Sequence, residues 1–242
     1  MEREAGIERA RAWISEAGSV AVLTGAGVSA ESGVPTFRGP GGLWREHRPE
    51  DLATPEAFAR DPLLVWEWYA YRRELIAACR PNPAHEALVR LEKRCEDMSL
   101  ITQNVDGLHA LAGSRRVLEL HGNLFAIRCC NCGAERQQRE PPASLPPRCA
   151  RCGGLERPGV VWFGEALPGQ ALESALAAVR RAELVLVVGT SGVVWPAAGL
   201  LQAAPDGCRS VLVNLEPTDQ SEQVDLALHG KAGEILPGIV AA

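Results

Sequence analysis

Hydrophobic residues gather along the chain in two alternating rhythms. Short, nearly continuous aliphatic runs occur at Val20–Leu23, Leu100–Thr102, Val117–Leu120, Val160–Phe163, Leu184–Val188 and Val211–Leu215. Runs of this length predict strands buried on both faces, as in a parallel sheet covered by helices. Helical spacing lies between many of them. Ile7, Ala10, Ile14 and Ala17 predict an amphipathic first helix, and Pro83–Arg94 and the alanine-rich Ala171–Ala182 predict two more. Strand–helix alternation implies an α/β fold with an open parallel sheet.

Two segments break the rhythm. Residues 41–80 hold a loop and then a helix over Pro62–Cys79, with proline at its start. Residues 128–157 hold four spaced cysteines and the proline-rich stretch Pro141–Pro147, which sustains neither a helix nor a central strand. Together they predict a small domain inserted into the sheet domain. The sheet domain would comprise residues 1–40, 81–127 and 158–242; the small domain pairs a helical module, 41–80, with a ribbon, 128–157.

Composition narrows the possibilities. A chain of 242 residues, 46% hydrophobic, buries a substantial core. The formal charge of −5 argues against broad nucleic-acid binding, which needs a cationic face. No apolar run is long enough to span a bilayer, so no membrane partner is expected. Met1 to Ala17 alternates charge with small apolar residues, unlike a signal peptide. The expected address is cytoplasmic, and the expected state a monomer.

The eight cysteines are clustered rather than dispersed. Cys129-x-x-Cys132 and Cys149-x-x-Cys152 are separated by sixteen residues, a spacing that lets four thiolates surround one zinc ion. Redox thiols would need one such pair beside a βαβ unit. Four sulfur ligands leave no open position, so the zinc should be structural. Cys130 competes as a ligand, but spacing favours Cys129. Cys79, Cys95 and Cys208 read as packing residues.

In open α/β sheets, ligands bind beyond the carboxyl ends of the strands. Thr24-Gly25-Ala26-Gly27-Val28-Ser29-Ala30 follows the first run, and its glycines and free N–H groups suit a pyrophosphate. Alone this is a weak motif. The other strand ends strengthen it: Gln103-Asn104-Val105-Asp106, His121-Gly122, Gly189-Thr190-Ser191, and Asn214 with Glu216. Five such ends predict a nucleotide-sized site. Of the five histidines, His47, His85, His109 and His229 read as surface or core residues. His121, at a strand end beside glycine, suits general-base work.

At this point the motifs resemble the sirtuins, the silent-information-regulator family of NAD-dependent protein deacylases. The resemblance is ordered and covers nearly the whole chain: Gly25 to Arg38, Gln103 to His109, Leu120-His121-Gly122, the four cysteines, Val161-Trp162-Phe163-Gly164-Glu165, and Gly189-Thr190-Ser191. It implies a Rossmann-like domain with a small domain of zinc ribbon and helical module, NAD as co-substrate in the cleft, and structural zinc. By resemblance, Gly25, Ala26, Gly27 and Ser29 contact phosphates and ribose. Phe37 and Arg38 belong to a loop over the nicotinamide. Gln103, Asn104 and Asp106 line the ribose and nicotinamide pockets, and Asn104 and Asp106 join His121 as catalytic residues. Gly189, Thr190, Ser191, Asn214 and Ala232 hold the adenosine half.

The implied reaction begins when an acyl-lysine oxygen attacks C1′ of the ribose and expels nicotinamide. His121 then activates a ribose hydroxyl, and water releases free lysine and O-acyl-ADP-ribose. The acyl-lysine peptide is implied to add as a strand between Val161–Glu165 and Gly192–Pro196.

On residue grounds alone, Tyr69 and Arg72 are a packed aromatic and a solvated arginine on one helical face. The resemblance changes that reading. Tyr-x-x-Arg resembles the sirtuin class that removes succinyl, malonyl and glutaryl groups; Ala53 and Thr36 agree with it. The expectation is therefore a desuccinylase and demalonylase with some deacetylase activity. Three alternatives remain: a mono-ADP-ribosyltransferase on the same fold, a non-catalytic NAD-sensing zinc-ribbon adaptor, and a nicotinamide dehydrogenase.

Overall fold

The structure, a computed structural model, describes residues 2–35, 49–192, 194 and 197–241. In chain order its strands are β1 (Ser19–Thr24), β2 (Asp97–Thr102), β3 (Val117–Glu119), β4 (Gly122–Cys129), β5 (Glu135–Gln137), β6 (Glu156–Val160), β7 (Leu184–Val188), β8 (Arg209–Asn214) and β9 (Leu226–His229). Its helices are α1 (Glu2–Glu16), α2 (Gly27–Ala30), α3 (Pro49–Leu52), α4 (Pro55–Arg60), α5 (Pro62–Ala78), α6 (Pro83–Arg94), α7 (Leu108–Ala112), α8 (Gly169–Arg181) and α9 (Ala232–Ile239).

Six strands form a parallel sheet in the order β3-β2-β1-β7-β8-β9. Alternate residues of each strand face opposite sides, and both sides are covered. Val20, Val22, Leu184, Leu186 and Val211 pack on one side with residues of α1, α6 and α9. Ala21, Leu23, Val185, Val187 and Leu212 pack on the other with α8. Burial on two sides explains why these strands read as unbroken aliphatic runs. The fold is the Rossmann-like α/β arrangement that the sequence predicts.

Local chemistry sets the helix starts. Pro83 occupies the first turn of α6, where its missing N–H costs nothing. Asn82 caps that helix by accepting from the Ala84 amide at 2.9 Å, and the His85 ring accepts from the Asn82 amide at 3.3 Å. Asp61 caps α5 in the same way, accepting from the Leu64 amide at 3.0 Å.

The second sheet is antiparallel, in the order β5-β4-β6. It packs with α4 and α5 around Trp66, Phe58, Leu124 and Ile127, a separate apolar cluster. Here one expectation needs correction. Val160–Phe163 is not a strand of the parallel sheet: Val160 ends β6, and the following residues turn away, with Gly164 at φ +84°. The run is apolar because Val160 and Trp162 fill the second core. Strands β4, β5, β9 and all of β6 but Val160 are additions: polar residues interrupt β4 and β6 and make up β5, and β9 is only four residues long.

Among the described residues, no helix is long and apolar enough to cross a membrane.

At the point where the sheet order reverses, between β1 and β7, two loops touch. A Cβ on Gly27 would lie 2.8 Å from Gly189 Cα, and one on Gly25 would lie 2.9 Å from the Gly189 carbonyl oxygen. Gly189 itself has φ +60°, and a Cβ there would lie 2.6 Å from the Gly27 carbonyl carbon. Gly189→Ala should therefore destabilise the protein by about 1–3 kcal/mol, read as a lower denaturation midpoint. An unchanged midpoint would show that the loops can separate freely.

Candidate active site

A cavity of about 750 Å³ opens above the carboxyl ends of β1, β2 and β7, where the strand order reverses. This is the crevice in which doubly wound sheets bind ligands. Its wall takes Gly25, Ala26 and Gly27 from the turn after β1, and Gln103 and Asn104 from the turn after β2. Gly189, Thr190 and Ser191 follow β7, and Asn214 ends β8. His121 stands between the two sheets, one residue before β4.

The turn after β1 differs from expectation in one respect. The Gly25 and Gly27 amides are already engaged, donating to Val188 and Gly189 carbonyls at 3.1 and 2.8 Å. Those two glycines answer first to the close approach of the β7 loop, rather than supplying free donors.

His121 is held at both ends. Its carbonyl accepts from the Val161 amide at 2.9 Å, and its Nδ1 lies 3.0 Å from the Gln103 carbonyl oxygen. A carbonyl only accepts, so Nδ1 carries the hydrogen in this contact and Nε2 keeps its lone pair. Burial pushes the imidazole below its ordinary pKa, with the Gln103 carbonyl opposing. The ring is neutral at pH 7 and shaped as a base.

Behind the wall lies a buried polar network. Ser29 Oγ donates to Asp106 Oδ2 at 2.7 Å, and the Leu108 amide donates to Asp106 Oδ1 at 2.8 Å. Asn104 Nδ2 donates to the Gly25 carbonyl at 3.0 Å and to Ser29 Oγ at 3.2 Å. Burial raises the Asp106 carboxyl above its ordinary range, against these donors and the nearby Arg72 charge. His85 and His109 pack ring to ring beside it, with centroids 4.8 Å apart. Burial lowers them to about 4 and about 3 respectively, the neighbouring His85 adding to the effect on His109. Both are core histidines, as expected.

At its other end the cavity is lined by Ala53, Tyr69 and Arg72. Helix α5 places Tyr69 and Arg72 one turn apart, and both are buried. The Arg72 guanidinium lies 4.7 Å from the Trp68 ring centre and 5.6 Å from that of Tyr69. It is not a solvated arginine, the reading that residue spacing alone suggested. The helix faces the second core, so its polar tips reach the cavity from inside.

Some predicted residues lie elsewhere. Ser29 and Asp106 stand behind the cavity wall, and Ala232 starts α9 within the main core. Phe37, Arg38 and Thr36 lie outside the described residues, as do Val193, Trp195 and Pro196 of the segment expected to border a peptide. The cavity also takes Leu215 to Thr218, in the loop after β8, and Trp162. Sequence reasoning stopped at Asn214 and Glu216 there; the signal was the position of this loop after a buried strand.

The four ribbon cysteines converge. The Sγ atoms of Cys129, Cys132, Cys149 and Cys152 all lie within 4.8 Å of one another. Cys129 and Cys152 are 3.5 Å apart, and Cys132 and Cys149 3.8 Å. Zinc–sulfur bonds of about 2.3 Å imply tetrahedral edges of about 3.8 Å, so the set fits a structural zinc. Cys130 is not part of it.

A reversing parallel sheet over a glycine-lined cleft, joined to a four-thiolate ribbon, defines a dinucleotide-binding enzyme architecture with a structural metal. Residues 25–196 match the Sir2 family model, and the chain belongs to the Sir2 family. It is 54% identical over 220 residues to NAD-dependent protein deacylase 2 of Pyrobaculum aerophilum, covering 90% of this chain and 88% of that one. A solved Sir2 homologue–NAD complex superposes with TM-score 0.90 at 47% identity, covering 96% of this chain and 92% of that one. A Sir2 with a deacetylated p53 peptide and 3′-O-acetyl-ADP-ribose superposes with TM-score 0.85 at 33% identity, covering 96% of each chain.

Metal analysis should find one zinc ion per chain. Chelation should lower Tm by about 4–8 °C, the loss of about 2 kcal/mol from a chain of this size, and added zinc should restore it. A Tm indifferent to chelation, with metal gone, would rule out a structural role.

Proposed function

We propose that this chain is an NAD-dependent protein-lysine deacylase that removes succinyl and malonyl groups and, less selectively, acetyl groups. Nicotinamide and O-acyl-ADP-ribose are its products, and acyl-lysine proteins or peptides its substrates. The observation that carries the acyl preference is that Tyr69 and Arg72 line the same cavity as His121. A phenol and a guanidinium at the wall of a largely apolar pocket suit a terminal carboxylate, and the small side chain of Ala53 leaves room for it. Family membership supports the use of NAD, and the solved relative with a p53 peptide supports a protein substrate.

NAD, as co-substrate, supplies the ribose that takes over the acyl group. The chain's own residues do the rest. Gly25 to Gly27 and Gly189 to Ser191 shape the cleft for the dinucleotide. Asn104, anchored on the Gly25 carbonyl and Ser29, orients the reacting ribose. Asp106 positions that network through Ser29. His121 Nε2 takes the ribose hydroxyl proton, while the Gln103 carbonyl steadies the imidazolium that forms. The peptide lies as an added strand beside Val161–Glu165. The unpaired thiols and the thiolate ribbon suit a reducing, cytoplasmic compartment.

Because a neutral His121 is required, deacylation should fall on the acid side with a midpoint below 6.5, the unperturbed histidine value. A pH profile of kcat/KM with its acid limb centred at 7 or above would contradict this role.

The acyl preference rests on matched succinyl- and acetyl-lysine peptides. Arg72→Met should cost succinyl turnover about 1.5–3 kcal/mol in kcat/KM, roughly ten- to a hundredfold, and acetyl turnover much less. Equal losses on both peptides would count against a carboxylate clamp.

A further inference from the structure

Tyr69 and Arg72 do not stand alone at the acyl end of the cavity. The Trp162 indole N–H donates to the Tyr69 hydroxyl oxygen at 2.9 Å, with ring centres 6.5 Å apart. Both side chains are almost fully buried, and both line the cavity. A phenol oxygen donates one hydrogen bond and accepts others. With an indole N–H on its acceptor side, the hydroxyl proton must turn away from Trp162. Burial raises the phenol above its ordinary pKa, so that proton is present at neutral pH.

Trp162 is itself fixed on several sides. The Arg157 guanidinium lies 3.4 Å from its ring centre, and the Phe58 ring packs against it with centres 5.2 Å apart. Arg157 donates to both Glu165 carboxylate oxygens, at 2.5 and 2.8 Å, and to the Val160 carbonyl at 3.0 Å. The same Glu165 carboxylate accepts from the Trp162 amide at 2.8 Å. One ion pair therefore grips the main chain of Trp162 and, through Arg157, its ring. An arrangement built only to fill space would need none of this polar bracing; phenylalanine would pack as well.

We propose that Trp162 is a positioning residue for acid-terminated acyl groups: its indole N–H aims the Tyr69 hydroxyl proton at the acyl carboxylate, and the Arg157–Glu165 pair holds the indole in register. This rests on the acyl preference proposed above and extends it to residues with no direct part in the chemistry. A neutral acetyl group gains nothing from the aimed proton, so the effect must be selective.

The test is Trp162→Phe, which removes the N–H and keeps an aromatic ring, assayed on matched succinyl- and acetyl-lysine peptides. Loss of one hydrogen bond should lower the succinyl-to-acetyl ratio of kcat/KM about fivefold, chiefly through the succinyl KM. Tyr69→Phe should give a fall of similar size, and adding Trp162→Phe to it should change the ratio no further, because the two act through one proton. Equal losses on both peptides would overturn the proposal by showing a merely structural role. So would an unchanged ratio, or additive effects in the double variant. Wild-type protein that never turns over succinyl-lysine would instead sink the acyl preference itself, and this proposal with it.

Discussion

Everything in the cleft depends on how closely two backbones approach where the sheet changes direction. The turns after β1 and β7 meet at Gly25, Gly27 and Gly189, with no room for a side chain between them. Hydrogen bonds from the Gly25 and Gly27 amides to Val188 and Gly189 close the junction. That contact sets the floor on which a dinucleotide can lie. It also sets the start of α2, and hence where Ser29 sits beneath Asn104. From there the constraint propagates sideways. The Gln103 amide bonds the Thr24 carbonyl at 3.0 Å, and the Gln103 carbonyl in turn orients His121. The His121 ring is thus aligned by a chain of main-chain contacts that begins at the glycines.

The second sheet contributes the other wall. β4 starts directly after His121, and β6 ends directly before Val161, whose amide bonds the His121 carbonyl. Strand β4 therefore runs from His121 to the ribbon, ending at Cys129. Helix α5, packed on that sheet, carries Tyr69 and Arg72 inward, while the Trp66 indole anchors it to the Glu156 carbonyl at 2.7 Å. Tyr69, Arg72 and His121 thus face one cavity, closed on its other side by the glycine turns of the parallel sheet. Neither wall alone would make a site.

Much of this was legible in the chain. Strands buried on two sides must be aliphatic throughout, so β1, β7 and β8 announced themselves, and proline at the first turn marked α5 and α6. Paired CxxC knuckles encode geometry directly, because a four-thiolate shell needs little else. What escaped had physical causes. β4 alternates buried and half-exposed positions through a bulge, and Asn123 and Arg128 break its apolar pattern. Val160–Phe163 misled because apolar runs do not say which core they serve. The glycines of the first turn stand out in the sequence, but the close approach of the β7 loop, which also demands them, does not. The Arg72 side chain was unreadable without the fold, since nothing in residue spacing distinguishes a solvated guanidinium from one turned into a pocket. The Trp162–Tyr69 bond joins residues far apart in sequence, and no local pattern predicts it.

The paired imidazoles of His85 and His109 have a consequence for the molecule as a whole. Held near 4 and near 3, they stay unprotonated well into mild acid, whereas the same rings in an unfolded chain bind protons around 6.5. The unfolded state therefore gains from acidification before the folded state does, and stability present above that value drains away below it. Each ring withdraws about 1.4 kcal/mol per pH unit once its unfolded counterpart is protonated. Asp106 and Glu119 pull the other way, since their raised carboxyls favour the native form as acid increases. The two imidazoles thus make the buried interior itself a source of acid sensitivity.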